Sequence, residues 1–155
     1  MIKRKGIIKI AIDSPAAAGA GTIAKAISNH YNLFYLDTGK IYRFIAYLKI
    51  KFPKKYSLKF VKSKINSLSL KDLSKRVLLS DKMGLEASVI SKKKNIRKIV
   101  HSIQLNFAYN PPKKFNGSCL DGRDITYKIV PDADFKFYVT ASLKARALRR
   151  YKELK

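Results

Sequence analysis

An α/β fold, with a parallel sheet flanked by helices, is what these 155 residues predict. Three observations carry the prediction. Short apolar runs of strand character alternate along the chain with segments whose apolar residues recur at helical spacing. The first run, "GIIKIAID", is unbroken enough to be buried on both faces, as a strand inside a parallel sheet is. Directly after it comes a loop of small residues, "SPAAAGAGT", that opens a helix.

Taken in order, "TIAKAISNHY" places Ile23, Ala26, Ile27 and Tyr31 on one helical face, and "LFYLD" reads as a second short strand. "TGKIYRFIAYLKIKF" is a helix with apolar positions Ile41, Phe44, Ile45 and Leu48. Residues 53–95 are rich in Lys and Ser, with short helical patterns such as "LKDLSKRVLL", and read as small helices capping the site. "NIRKIVHSIQLNFAY" repeats the helical spacing at Ile96, Ile99, Val100, Ile103 and Phe107 and stops before Pro111 and Pro112. "GSCLD" and "DFKFYVT" are the third and fourth strands, and "SLKARALRRYKELK" is a helix with Ser142 at its N-cap. No repeat or low-complexity linker divides the chain, so a single domain spanning 1–155 is expected.

Composition narrows the function classes. No stretch approaches the roughly 20 apolar residues of a bilayer span, and no signal-like run opens the chain, so a soluble cytoplasmic protein without membrane attachment is expected. Cys119 is the one cysteine, which leaves no disulfide framework and no thiol pair for a metal; it reads as a small apolar residue on a buried strand. The net charge of +24 would attract any polyanion. Yet 26 of the 34 basic residues are lysines spread over segments with helical spacing, so a solvated face is favoured and no specific nucleic-acid partner is expected. The eight arginines are more telling, because a guanidinium forks phosphate in two places.

The loop Ser14, Pro15, Ala16, Ala17, Ala18, Gly19, Ala20, Gly21, Thr22 has the context of a phosphate cradle. Its backbone N–H groups can point inward, and the helix that follows adds the positive end of its dipole. Gly19 and Gly21 can take conformations that other residues resist, and Thr22 offers a hydroxyl to a magnesium ion. An Ala/Gly-rich turn also occurs as plain tight packing, so the loop alone leaves both readings open.

"IAIDSPAAAGAGTIAKAI", "LDTGKIYR" and "LDGRDI…VPDADFKFYVTAS…RALRR" occur in that order, and together they resemble the cytidylate kinase (CMP kinase) family of P-loop nucleoside monophosphate kinases. The resemblance runs from about Ile7 to Arg150 and is weakest between Lys51 and Ser80. It implies a three-layer P-loop NTPase-type fold and transfer of the ATP γ-phosphoryl group to CMP or dCMP, in a monomer using Mg2+ with ATP. It also implies an acceptor-nucleotide subregion at 51–110 and a lid beginning at 142–155.

The same resemblance assigns residues. The loop from Ser14 to Thr22 matches the ATP phosphate loop, with Thr22 toward Mg2+. Thr38, Tyr42 and Arg43 match the CMP side, where Arg43 would fork the acceptor phosphate. Ser88 and Arg97 of "LEASVISKKKNIR" match positions that read cytosine, and Asp124 of "DGRD" completes that edge by accepting from the exocyclic amine. Arg123 matches a phosphate ligand, Asp121 stands at a strand's carboxyl end, and Arg43, Arg123 and Asp121 are the catalytic candidates. Arg146, Arg149 and Arg150 match lid arginines that close over ATP.

Departures from the family pattern are specific. Ser14 stands where the loop has Gly, Ala20 where it has a lysine between two glycines, and Ile125-Thr126 where "GRD" is followed by Met-Gly. Losing the lysine removes a point charge on the transferring phosphoryl group but leaves the backbone cradle. The acceptor insert is shortened and has no convincing small sheet. Family members continue beyond "RRYKELK", so the chain is expected to lack a last strand and closing helix. The alternative function is a catalytically impaired nucleotide-binding or nucleic-acid-binding protein that retains the kinase fold.

Overall fold

The computed structural model describes residues 5–154. Among these, four strands, β1 (Ile8–Asp13), β2 (Leu33–Asp37), β3 (Gly117–Gly122) and β4 (Phe135–Tyr138), form one parallel sheet in the order β2-β3-β1-β4. The register sets Asp13 beside Gly122 and Tyr138, and Asp37 beside Asp121, so the carboxyl ends of the strands finish level. β1 leads through helix α1 (Ala20–His30) to β2 on one side, whereas β3 leads to β4 on the other. The chain therefore leaves the adjacent strands β1 and β3 in opposite directions, and the crevice outside such a switch point is where open parallel sheets take ligands.

Strand alternation supplies both faces of the sheet. Ile10, Ile12, Leu33 and Cys119 point to one face and pack with Ala20 and Ala24 of α1. On the other, Phe34 stacks on Phe107 of helix α6 (Lys94–Tyr109) at 5.0 Å and meets Phe115 edge-on at 5.6 Å. The Ser118 hydroxyl, buried on β3, donates to the Ala108 carbonyl at 2.7 Å, which satisfies the one polar group that strand presents to α6. Helices thus cover both faces in three layers, as expected.

The face of α1 differs from the expected one. Ala20, Ala24 and Ser28 are the buried positions and Ile27 is half-buried, while Ile23 is 43% and Tyr31 53% exposed. The reason lies in the loop. It starts the helix at Ala20, hard against the end of β1, and only small residues let the helix backbone sit that close on Ile10, Ile12 and Cys119. The larger side chains go to the rim.

The described chain packs as two compact units: the sheet unit, built from residues up to Thr38 and from Gln104 onward, and a second unit, Gly39–Ile103. The second unit is helical throughout, with α2 (Gly39–Lys51), α3 (Leu58–Asn66), α4 (Leu70–Leu73), α5 (Asp81–Ser91) and the first turns of α6. Ile41, Phe44, Ile45 and Leu48 are buried on α2, as their spacing predicts, and α2 packs against α5 with its buried Met83, Ala87 and Ile90. The many serines have a use here: Ser57, Ser69 and Ser80 each accept a backbone N–H at the start of a helix. Ser69 and Asp72 do so reciprocally. Lys75 and Ser69 bonded to Asp72 hold its carboxyl down at about 2.

In the sheet unit, helix α7 (Leu143–Leu154) is capped by the Ser142 hydroxyl, which accepts from Ala145 N at 3.3 Å. β4 is shorter than the expected "DFKFYVT" and lies at a sheet edge with all four residues exposed. One π-helical turn, Ile125–Ile129, follows β3 and has no counterpart in the sequence reading. No helix among the described residues is long and apolar enough to cross a membrane.

Candidate active site

The loop begins where β1 ends, and Asp13 anchors it. Ser14 N donates to the Gly122 carbonyl at 3.0 Å, tying the loop's first residue to the end of β3. The Asp13 carboxylate is buried and accepts from Ile125 N at 2.7 Å, Thr126 N at 3.0 Å and the Thr126 hydroxyl. Three donors offset the cost of burying this charge and lock the π turn to the end of β1. The sequence reading gave Asp13 no role. Its signal was a carboxylate closing a strand that is otherwise apolar. Thr126, which stands where the family pattern has Gly, supplies two of the three, and its hydroxyl bond is the one a glycine could not make.

Within the loop, Ala18 N donates to the Pro15 carbonyl at 3.3 Å, and Thr22 N and Ile23 N donate to the Gly19 carbonyl. Gly19 is the N-cap of α1 with φ +97°, a conformation other residues resist. Ala17 also takes a left-handed conformation, φ +58°, at a cost of roughly 1–2 kcal/mol for a residue with a Cβ. The first-turn amides of α1, together with the helix dipole, make this end of the loop attractive to an anion. Thr22 is exposed in that first turn.

Gly21 is small for a different reason. A Cβ on it would stand 3.3 Å from Oδ2 of Asp121 and 3.3 Å from the Tyr35 hydroxyl. Those two groups are bonded to each other, Tyr35 donating to Asp121 Oδ2 at 3.0 Å. Burial first, and then the charge of Asp121, push the Tyr35 phenol far above its ordinary pKa, so it stays a donor. The sequence reading passed over Tyr35, which looks like any aromatic on a strand. Thr38 holds the same strand end, its N and Oγ1 donating to the Asp121 carbonyl at 3.1 and 2.8 Å.

Two of the three arginines expected in a lid, Arg146 and Arg149, reach the loop. Val139 N donates to the Asp13 carbonyl at 2.9 Å, which brings the chain after β4 alongside the end of β1, and α7 starts a few residues later. From α7, Arg146 Nε donates to the Ala16 carbonyl at 2.8 Å, and Arg149 Nη1 donates to the carbonyls of Ala18 at 2.8 Å and Ala17 at 3.4 Å. Arg150 instead bonds Glu153 on its own helix at 3.1 Å. Arg123, exposed, and Asp124, half-buried, follow Gly122 in the same unit, and the Asp124 carbonyl starts the π turn by accepting from Lys128 N and Ile129 N.

The remaining candidates lie in the second unit. Tyr42 and Arg43 are on α2, Ser88 is exposed on α5 and Arg97 half-buried on α6. Arg43 Nη1 donates to the carbonyls of Leu78 at 2.7 Å and Ser80 at 3.2 Å, which orients its guanidinium at the start of α5. The loop, Thr38, Asp121, Arg146 and Arg149 thus form one constellation in the sheet unit. Cys119 has no part in it: it is fully buried, and burial above all pushes its thiol up to about 11.

Known proteins match this chain along nearly its full length. The family model described as cytidylate kinase matches residues 10–155. The cytidylate kinase of Bartonella tribocorum is 44% identical over 151 residues, covering 94% of this chain and 66% of that protein. That of Rhodospirillum rubrum is 39% identical over 147 residues, covering 94% of this chain and 69% of the relative. That of Clostridium botulinum strain Hall is 36% identical over 159 residues, with shares of 96% and 71%. The chain spans about two thirds of the length of the curated relatives it matches.

Proposed function

This chain belongs to the cytidylate kinase family, and from that premise we propose that the protein transfers the γ-phosphoryl group of ATP to CMP or dCMP. A phosphate oxygen of CMP bonds to the γ-phosphorus as its bond to the bridging oxygen of ADP breaks, giving CDP and ADP. The observation that carries this reading is the family match from residue 10 to 155, a span that takes in the loop, both acceptor segments and the arginine helix.

Each residue then has a physical task. The loop Ser14–Thr22 and the start of α1 hold the ATP phosphates through the amides that Gly122, Pro15 and Gly19 do not already take from Ser14, Ala18 and Thr22, and Gly19 gives the loop its turn. Mg2+ enters with ATP as part of the substrate. The oxygens that suit such a hard cation are the Asp121 carboxylate, which lies against Gly21, and the hydroxyl of Thr22, the next residue of the loop, whereas Asp13 is committed to Ile125 and Thr126. The residues matched to the acceptor are Thr38, Arg123 and Asp124 in the sheet unit and Tyr42, Arg43, Ser88 and Arg97 in the second unit; the arginines Arg43 and Arg123 suit a phosphate, and the Asp124 carboxylate, with Ser88 and Arg97, suits the cytosine edge. Little covalent chemistry is asked of the protein; rate comes from alignment, charge and exclusion of water.

Coupled measurement of ADP release with CMP, dCMP, UMP and AMP tests the reading. CMP and dCMP should be phosphorylated and AMP should not. Equal turnover of the four, or ADP release that ignores the acceptor, overturns it.

A further inference from the structure

We propose that Arg149 supplies the positive charge on bound phosphate that the loop lacks at Ala20. The proposal rests on the reading above only for the nature of the ligand, a polyphosphate held by Ser14–Thr22.

No side chain between Ser14 and Thr22 can ionise. What the loop offers an anion is amides and the end of a helix dipole, equivalent to roughly half a charge. A transferring phosphoryl group spreads charge over its oxygens, and phosphate loops normally meet it with a fixed cation. Arg149 stands where that cation is needed. Its Nη1 is 2.8 Å from the Ala18 carbonyl, and 3.1 Å from where a Cβ on Gly19 would be, at the residue just before Ala20. Arg146, one turn earlier on α7, bonds the Ala16 carbonyl, so the helix is held on the loop at two points.

These bonds do more than tether a helix. The contacts of Arg149 with the loop run through Nη1, and a guanidinium carries further donors on Nη2 and Nε in a planar fork that suits phosphate. The bonds thus set a charge in the frame of the cradle before any ligand arrives, which is the property a lysine on the loop would have. Other cations fit the task less well. Lys25 is exposed on α1, five residues past Ala20 and about 7.5 Å further along the axis, and Arg150 is turned to Glu153.

The test is a double-mutant cycle on the full chain, read by calorimetric binding of MgATP and of inorganic tripolyphosphate at fixed salt. Arg149→Ala should weaken tripolyphosphate binding roughly tenfold or more, the worth of a charged hydrogen-bonding group. Lys144→Ala, which removes an exposed charge from the same helix, should change it less than twofold. Ala20→Lys should restore most of the loss in the Arg149→Ala chain and gain much less in the unaltered one. Thermal melts check that each variant folds; if Ala20→Lys, whose site packs against Ile10, Ile12 and Cys119, melts below the assay temperature, Arg149→Lys should keep most of the tripolyphosphate binding that Arg149→Ala loses, and equal losses in the two overturn the proposal. If Arg149→Ala melts below the assay temperature, the cycle is run with Arg149→Lys, which keeps the charge and loses the fork, and Ala20→Lys should again help the variant more than the parent. Equal effects of Arg149→Ala and Lys144→Ala, additive effects of Ala20→Lys and Arg149→Ala, or no tripolyphosphate binding by the unaltered chain, each overturn the proposal. Tripolyphosphate has no base, so Arg149-dependent binding without CMP phosphorylation leaves the proposal standing while the acceptor reading falls. CMP phosphorylation indifferent to Arg149→Ala does the reverse.

Discussion

The Tyr35 hydroxyl donates to Oδ2 of Asp121 at 3.0 Å, and both groups lie 3.3 Å from the point where a side chain on Gly21 would begin. A tyrosine on β2 therefore orients a carboxylate on β3 against the first turn of α1. Burial above all keeps the phenol protonated, so Tyr35 remains the donor of this bond. Tyr35→Phe should cost about 1–3 kcal/mol in chemical denaturation, and kcat for phosphoryl transfer should fall more than KM for CMP rises. Gly21→Ala should impair nucleotide binding, since the added methyl enters a contact at 3.3 Å on both sides. Full activity in Gly21→Ala would show that the pair and α1 can separate freely.

Asp13 should matter more for stability than any other carboxylate in the sheet unit. Asp13→Ala leaves the buried amide of Ile125, and that of Thr126, without their acceptor, and should destabilise the protein by about 3 kcal/mol or more. Thr126→Val removes only the hydroxyl and should cost about 1–2 kcal/mol. Urea unfolding of both variants measures the difference; equal effects would mean that the two backbone bonds contribute nothing.

Base selectivity should respond to Asp124. A carboxylate accepts from the exocyclic amine of cytosine, and uracil has a carbonyl at that place. Asp124→Asn should narrow the ratio of kcat/KM for CMP over UMP by roughly tenfold or more, because an amide serves either edge. An unchanged ratio would move the reading of the base to Ser88 and Arg97.

Cys119 should be inert in the native protein. Its thiol is fully buried and pushed up to about 11, so the reactive thiolate is scarce at pH 8. Labelling by a thiol reagent at pH 8 should be slow, and should become fast and stoichiometric in urea. Rapid labelling without denaturant would show that the face of β3 against α1 opens.

The sequence by itself determined the alternation of strands and helices, the place of the phosphate loop between β1 and α1, and the apolar stripe on α2, because each depends on residues within one or two turns of one another. Motif order along the chain carried the family for the same reason. It mis-phased α1, since periodicity ranks residues by hydrophobicity while the sheet selected Ala20, Ala24 and Ser28 for their size. What only the tertiary structure decided involves partners distant in sequence. Asp13 bonds residues 112 and 113 positions away, Tyr35 meets Asp121 across 86, and Arg146 reaches Ala16 across 130. No local pattern marks such pairs, because parallel strand order and the return of α7 to the end of β1 create them. The charge missing from the loop at Ala20 is legible in the sequence; the arginine standing beside it is visible only once the chain has folded.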